Sequence, residues 1–210
     1  MSLVPYLVVM AKAPRAGIAK RRLGRDIGQI AALRFYRATL ARLLRRLGRD
    51  PRWRLVLYLT PDRDAFARGI WPAHIPRFPQ GSGDLGARMR RPLEVSGPGP
   101  VAIVGGDIPD LDRRHIAAAF KALGSHDLVF GPASDGGYWL VGVKRRPRTP
   151  RLFHDVRWGS AHALADTLKG VARDRAALLE TLDDVDDGAA YARFTCSKSR
   201  GMSSTRLHGR

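Results

Sequence analysis

Tyr6-Leu7-Val8-Val9-Met10-Ala11 is apolar at every position, with no polar residue alternating into it. A strand that faces water on one side alternates. One that is apolar throughout is covered on both faces, as in a parallel sheet held between two layers of helices. The run stops at Lys12, and the loop through Arg22 carries Lys12, Arg15, Lys20, Arg21 and Arg22. A buried strand therefore delivers five cations to one edge of a sheet.

The rest of the chain keeps the same alternation. Ile27 to Leu47 places Ile30, Leu33, Tyr36, Leu40, Leu43, Leu44 and Leu47 at helical spacing, and Gly48 with Asp50-Pro51 ends the helix. Trp53 to Leu59 reads as a second strand. Thr60-Pro61-Asp62 reads as a helix start, Thr60 the cap and Pro61 in the first turn, with the helix closing near Gly69. His74 to Phe78 fits a minor strand. After the glycine-rich stretch Pro79 to Gly86, a helix is expected over Ala87–Val95, weakened by Pro92. Val101–Val104 is a central strand, and Asp112 caps a helix to Leu123. Leu128–Phe130 and Tyr138–Val143 are strands close enough to form a hairpin or an antiparallel edge. Ser160 caps a helix to about Ala172, Leu178-Leu179 is a short last strand, and Asp187 or Gly188 opens a helix to Phe194. This order calls for one α/β domain, a mixed sheet with helices on both faces. It covers residues 1–194; residues 195–210 are expected to form a flexible basic tail.

Charge narrows the partners. Lys and Arg number 37 against 19 Asp and Glu, a formal net charge of +18, and most of the cations are arginine. Such a surface attracts polyanions. A general arginine bias explains much of it, because Glu94 and Glu180 are the only glutamates. Aromatic residues make up 8% and fall mostly in strands, so the stacking platforms of single-strand binders are missing and no specific nucleic acid is expected. Cys196 is the only cysteine, which excludes an intrachain disulfide and a thiolate metal cluster. The apolar N-terminus is short and lacks a basic leader, so it reads as a strand rather than a signal peptide, and no apolar run reaches the roughly 20 residues of a membrane span. A cytoplasmic location is the expectation.

Three loops follow directly on predicted strands, and in open α/β sheets ligands bind at those carboxyl ends. In the first, Gly17 permits close backbone approach, Lys12 and Lys20 offer point charges, and Arg22 offers a bidentate fork for phosphate. The loop is neither a Rossmann fingerprint nor a Walker A sequence, and it also reads as a solvated basic turn. The second holds Asp107 after Gly105-Gly106, ahead of Pro109. A carboxylate left at a buried strand end needs a partner, and a hard divalent cation is one; a capping role is the alternative. The third holds Asp135 before Gly136-Gly137, placed either to position an acceptor hydroxyl, to act as a base, or simply to close a turn. Gly83, Asp84 and Arg88 lie where a base, sugar or anion could be held. Asp183-Asp184-Val185-Asp186-Asp187 is an acid cluster that calls for cations beside it, with Asp186 a second metal ligand and Asp187 a helix cap. The stretch His154, Arg157, Trp158 and His162 is placed to cover the site, whereas His115 and His126 read as surface residues. No nucleophile elbow with Ser-His-Asp order is present, which argues against covalent serine hydrolysis.

The ordered segments Ala11-Lys12-Ala13-Pro14...Gly17...Lys20...Arg22-Leu23, Gly83-Asp84-Leu85-Gly86...Arg88-Met89, Gly106-Asp107-Ile108-Pro109, Gly131-Pro132-Ala133...Asp135-Gly136-Gly137-Tyr138 and Leu182-Asp183-Asp184-Val185-Asp186 resemble the bacterial DUF2064 family. Its members are glycosyltransferase-A-like proteins, some called selenodomain-associated or arsenosugar-biosynthesis transferases, within the nucleotide-diphospho-sugar transferase superfamily. The resemblance implies a single Rossmann-like three-layer domain with a mixed, mainly parallel sheet. It further implies a nucleotide held by Ala11, Lys12, Gly17, Lys20, Arg22, Gly83, Asp84 and Arg88, and Mg²⁺ or Mn²⁺ held by Asp107 and Asp186. The chain departs from the usual pattern at Arg21, where threonine is common, and at Gly105-Gly106, where a serine often stands beside the aspartate.

Three functions follow as expectations. The first is metal-dependent glycosyl transfer from a nucleotide-diphospho-sugar to a small acceptor. The second is nucleotidyl transfer from a nucleoside triphosphate with release of pyrophosphate. The third is noncatalytic nucleotide or RNA binding.

Overall fold

The computed structural model describes residues 3–97, 99–145, 152–169 and 171–204. Its strands are β1 (Tyr6–Lys12), β2 (Arg54–Thr60), β3 (Arg77–Pro79), β4 (Val101–Gly105), β5 (Leu128–Pro132), β6 (Tyr138–Val143) and β7 (Ala176–Leu178). Its helices are α1 (Arg21–Ile27), α2 (Gln29–Leu47), α3 (Leu85–Val95), α4 (Arg113–Ser125), α5 (Ala163–Leu168) and α6 (Gly188–Ser204). The apolar first strand lies where such a strand must, between parallel neighbours β2 and β4. The sheet order is β3-β2-β1-β4-β6-β5-β7, so β4 is central, and every pairing is parallel except the two made by β6.

Successive side chains of β1 point to opposite faces, and each face has its own core. Leu7 and Val9 pack with Leu40 and Leu44 of α2 and Ile116 of α4. Val8 packs on the other side with Met89 and Leu93 of α3 and with Phe153. A smaller cluster joins Leu23 of α1, Ala32 of α2 and Val185, against which Tyr191 and Phe194 of α6 are set. Phe35 meets both of those rings edge-on. This is the three-layer α/β architecture that continuous apolar strands require.

Some local expectations fail where tertiary packing wins. Arg21–Ile27 is helical rather than part of a loop, because Leu23 anchors it in the third cluster. Thr60 does not cap a helix: it ends β2 opposite Lys12, its carbonyl accepts the Ala13 N–H at 2.7 Å, and a single 3₁₀ turn at Asp62–Asp64 follows. Ser160 is likewise no cap. Its hydroxyl donates to the Arg157 carbonyl at 2.7 Å, and α5 begins at Ala163 and ends at Leu168. Pro92 sits inside α3 without ending it. His115 is not a surface residue. It is buried at the N-terminus of α4, where Nδ1 accepts the Asp112 N–H at 2.8 Å and Nε2 faces Glu180. The final helix does not stop at Phe194 but runs on to Ser204, with Asp187 accepting the Ala190 N–H at 2.7 Å at its start. Among the described residues, no helix is long and apolar enough to cross a membrane.

Candidate nucleotide and metal site

Strand order reverses between β1 and β4: the chain passes from β1 outward to β2 and β3, then returns to the other side of β1. Loops leave such a switch point in opposite directions and open a crevice at the strands' carboxyl ends. Lys12 ends β1, and Asp107 follows β4 by two residues. The two strand ends are tied by the Gly106 N–H, which donates to the Met10 carbonyl at 2.9 Å. The main chain at Lys12 is fixed by a residue sequence reasoning assigned only to the helix face: the Tyr36 hydroxyl donates to the Lys12 carbonyl at 2.9 Å and accepts its N–H at 3.0 Å. The only sequence signal for this is a hydroxyl on the buried face of α2.

The late acidic segment reaches the same crevice. The Leu179 N–H donates to the Phe130 carbonyl at 2.8 Å, and Asp183 accepts both the N–H and the hydroxyl of Ser134 at 2.8 and 2.9 Å. Val185 is buried in the third cluster, and the residues on either side of it, Asp184 and Asp186, both turn toward Lys20. Asp186 was expected here. Asp184 was visible in the sequence only as one member of the acid cluster, because nothing in a run of four aspartates distinguishes the inward ones until Val185 is known to be buried.

Lys20 is the centre of the arrangement. Its ammonium lies 2.9 Å from Asp107 Oδ2, 2.5 Å from Asp186 Oδ1 and 3.7 Å from Asp184 Oδ2, and its side chain is only 3% exposed. Burial alone would lower its pKa, but the charges of Asp107, Asp186 and Asp184 outweigh burial and raise it, so the amine stays protonated. Burial pushes the Asp184 carboxyl up to about 7 against the pull of Lys20, whereas the charge of Lys20 and a hydrogen bond from it hold Asp186 below its usual range despite burial. Ligand atoms of Asp107, Asp184 and Asp186 lie within 4.8 Å of one another. Three hard oxygen donors at that spacing fit Mg²⁺ or Mn²⁺ and would not suit a thiophilic ion.

These carboxylates open into a cavity of about 350 Å³, walled also by Leu85 and Met89 of α3, by Tyr138 and by Trp158. A larger groove of about 850 Å³ runs along α2 beneath Arg15, Arg37, Arg45 and Arg49. It has no carboxylate in its wall, unlike the smaller cavity, which Asp107, Asp135, Asp184 and Asp186 line. Asp135 is exposed at the mouth of that cavity, with Oδ1 accepting the Gly137 N–H at 2.8 Å. Lys12 is exposed, and its charge acts on Asp186. Ala11 is buried in the strand, Gly17 is exposed with φ +74°, and Arg22 is exposed in the first turn of α1. Asp84 is engaged as the cap of α3, accepting the Ala87 N–H at 2.7 Å, and Arg88 donates to the Gly83 carbonyl at 3.0 Å. These three residues border the cavity only through their neighbours Leu85 and Met89.

Of the expected covering stretch, Trp158 forms part of the wall, while Arg157 turns away to clasp Asp166 through its backbone N–H at 3.1 Å and two guanidinium bonds at 2.8 Å. Arg157's side chain, then its N–H, holds the Asp166 carboxyl well below the usual carboxylate range. The clasp is therefore present at neutral pH, persists as pH falls past the ordinary carboxylate range, and is lost as pH drops through the folded value. Asp166→Ala is expected to leave global stability nearly unchanged while speeding amide exchange from Trp158 to Ser160; unchanged exchange there would show that the clasp does not pin the wall.

A mostly parallel sheet with a single inserted antiparallel strand, and acidic and basic loops facing one another at its switch point, defines a nucleotide-diphospho-sugar transferase fold of the glycosyltransferase-A-like class. The chain belongs to the DUF2064 family, described as proteins conserved in bacteria, whose profile matches residues 43–160. A solved structure from Desulfovibrio desulfuricans G20, described as a candidate nucleotide-diphospho-sugar transferase, shares 29% identity at a TM-score of 0.79, covering 89% of this chain and 84% of that one. The fold is shared at lower identity by two further structures. One is a 4-diphosphocytidyl-2C-methyl-D-erythritol synthase from Anaerococcus prevotii, with 11% identity, TM-score 0.55, and 91% and 97% coverage. The other is a mannosyl-3-phosphoglycerate synthase from Rubrobacter xylanophilus, with 14% identity, TM-score 0.50, and 99% and 76% coverage. No curated protein matches the chain.

Proposed function

We propose that the chain is a divalent-metal-dependent transferase that moves a glycosyl group from a nucleotide-diphospho-sugar to a small acceptor. The observation that carries this reading is the convergence of Asp107, Asp184 and Asp186 with the basic β1 loop at one crevice. Likeness to the Desulfovibrio protein supports it. Asp107 and Asp186, with Asp184, would hold Mg²⁺ or Mn²⁺, which when bound supplies Lewis-acid neutralisation of a departing diphosphate. Lys12, Lys20 and Arg22 would bind the phosphates, with Ala11 and Gly17 bringing the main chain close. Gly83, Asp84 and Arg88, set beside the cavity-lining Leu85 and Met89, would border the nucleotide. Asp135 would accept a hydrogen bond from the acceptor hydroxyl and orient it for attack. Tyr138 and Trp158 would exclude water around the sugar. No covalent enzyme intermediate is needed. The cations of the Lys12–Arg22 segment, shared between the β1 loop and the first turn of α1, suit a triphosphate as well as a diphosphate, so nucleotidyl transfer is the second reading.

Product analysis by ³¹P NMR separates the two. Incubation of the protein and Mn²⁺ with a panel of nucleotide sugars and triphosphates, together with a set of small hydroxyl- and phosphate-bearing acceptors, is expected to release a nucleoside diphosphate from one sugar donor. Release of pyrophosphate from a triphosphate would replace glycosyl with nucleotidyl transfer, and no turnover of any member of the panel would count against both.

A further inference from the structure

Lys20 was expected to meet phosphate, yet its ammonium is enclosed by the carboxylates that would hold the metal. A buried lysine is uncommon unless it is paired, and this one is paired three times over. Among the described residues no other ammonium or guanidinium touches Asp107, Asp184 or Asp186. The ammonium stands within hydrogen-bond distance of Asp107 and Asp186, two of the three carboxylates that a divalent ion needs, and all three offer atoms inside a 4.8 Å span. A dication and an ammonium cannot share that space: they would compete for the same oxygens and repel each other. The backbone at Lys20 adds a further mark. It is left-handed, φ 50° and ψ 48°, at the junction between the loop and α1, where the side chain makes no capping bond. That conformation is unfavourable for a residue with a Cβ, and Lys20 adopts it while making these ion pairs.

Taking as its basis the nucleotide and metal reading above, we infer that Lys20 is a resident counter-ion that holds the metal position closed until an anionic ligand draws its ammonium away. The exchange balances charge locally. Asp107, Asp184 and Asp186 would be left to hold the divalent ion, and the Lys20 ammonium would donate instead to phosphate oxygens of the incoming nucleotide. Metal and nucleotide then bind as one coupled event, and the metal alone binds weakly. An ion held in the crevice without a nucleotide would have nothing to activate, so the lysine also spares the empty site from filling.

The test is Mn²⁺ binding by the full chain, followed by the loss of the free-ion EPR signal. Lys20→Met is expected to bind Mn²⁺ alone about tenfold more tightly than the wild type, or better, while Lys20→Arg is expected to bind it as weakly as the wild type. Adding GDP, UDP or CDP, with the Mn²⁺ that each nucleotide chelates in protein-free controls subtracted, should strengthen Mn²⁺ binding to the wild type and do so much less in Lys20→Met. Should unpaired carboxylates prevent Lys20→Met from folding, the comparison is made between Asp184→Asn and Lys20→Met/Asp184→Asn, where the double variant is expected to bind Mn²⁺ the more tightly. Equal Mn²⁺ affinity with and without Lys20, in the absence of nucleotide, overturns the inference. If instead Lys20→Met gains affinity but no nucleotide alters Mn²⁺ binding in any protein, the counter-ion role stands and the nucleotide reading fails.

Discussion

Asp107→Asn is expected to abolish most turnover, by roughly 10²–10³-fold, with kcat falling more than KM rises. The amide keeps the size of the side chain but gives up the charge that a divalent ion and its bound phosphates require. Asp107 is the one proposed ligand fixed by the sheet itself, two residues beyond β4, while Asp184 and Asp186 arrive on the connection between β7 and α6. Loss of this anchor therefore cannot be made good by movement of the other two. Folding should survive, because Lys20 keeps Asp186 at 2.5 Å and Asp184 at 3.7 Å. The melting temperature and circular dichroism check that point beside the kinetics. Turnover unchanged in Asp107→Asn would remove the metal from the account.

The largest structural effect is expected at Gly136. Its φ is +83°, in the left-handed region, and a Cβ there would strike the main chain of Ala161, 2.6 Å from its Cα. The Gly136 carbonyl also accepts the Leu164 N–H at 3.0 Å, so the β5–β6 turn and the start of α5 lie against each other through this residue. Gly136→Ala should cost about 2–4 kcal/mol, the sum of backbone strain and overpacking against unyielding backbone. For a chain of this length that corresponds to a fall in melting temperature of roughly 5–15 °C. Activity should fall with it, since Asp135 and the Trp158 wall sit on the two segments driven apart. Gly124→Ala in α4 is the control: nothing lies within 4 Å of its added Cβ, and no loss is expected. A melting point for Gly136→Ala within a degree or two of the wild type would mean that the contact yields freely.

Both effects arise at loops, and loops are where sequence reasoning ran shortest. The apolar runs of β1 and β4 define a parallel sheet because only burial on two faces tolerates them, and the loops after β1, β4 and β5 fall on one edge as a consequence. The loops carrying Lys12 and Lys20, Asp107 and Asp135 are accordingly legible as one crevice, while Asp186 enters from the acid cluster and the family resemblance. Their pairing was not visible. Nothing in the order of residues says that Lys20 faces carboxylates rather than phosphate, or that Asp184 joins Asp186, because both depend on Val185 and Leu23 meeting in a shared cluster. Thr60, Ser160 and His115 were misplaced for a similar reason. Their local chemistry allows a cap, a cap and a solvated ring, but strand pairing with Lys12, a hydrogen bond to the Arg157 carbonyl and burial against Glu180 were available and prevailed. Tyr36 shows the reverse: a residue counted as core packing also fixes the end of β1 through its hydroxyl.

The central claim is that one nucleotide and one divalent cation share the crevice walled by Asp107, Asp184 and Asp186. Isothermal titration of GDP, UDP and CDP into the protein, with Mn²⁺ and then with EDTA, tests it most directly. Binding of at least one nucleotide in Mn²⁺ is predicted, much weakened by EDTA and equally weakened in Asp107→Asn. Binding that ignores both the chelator and the substitution, or no binding of any nucleotide in the presence of the metal, would contradict the claim.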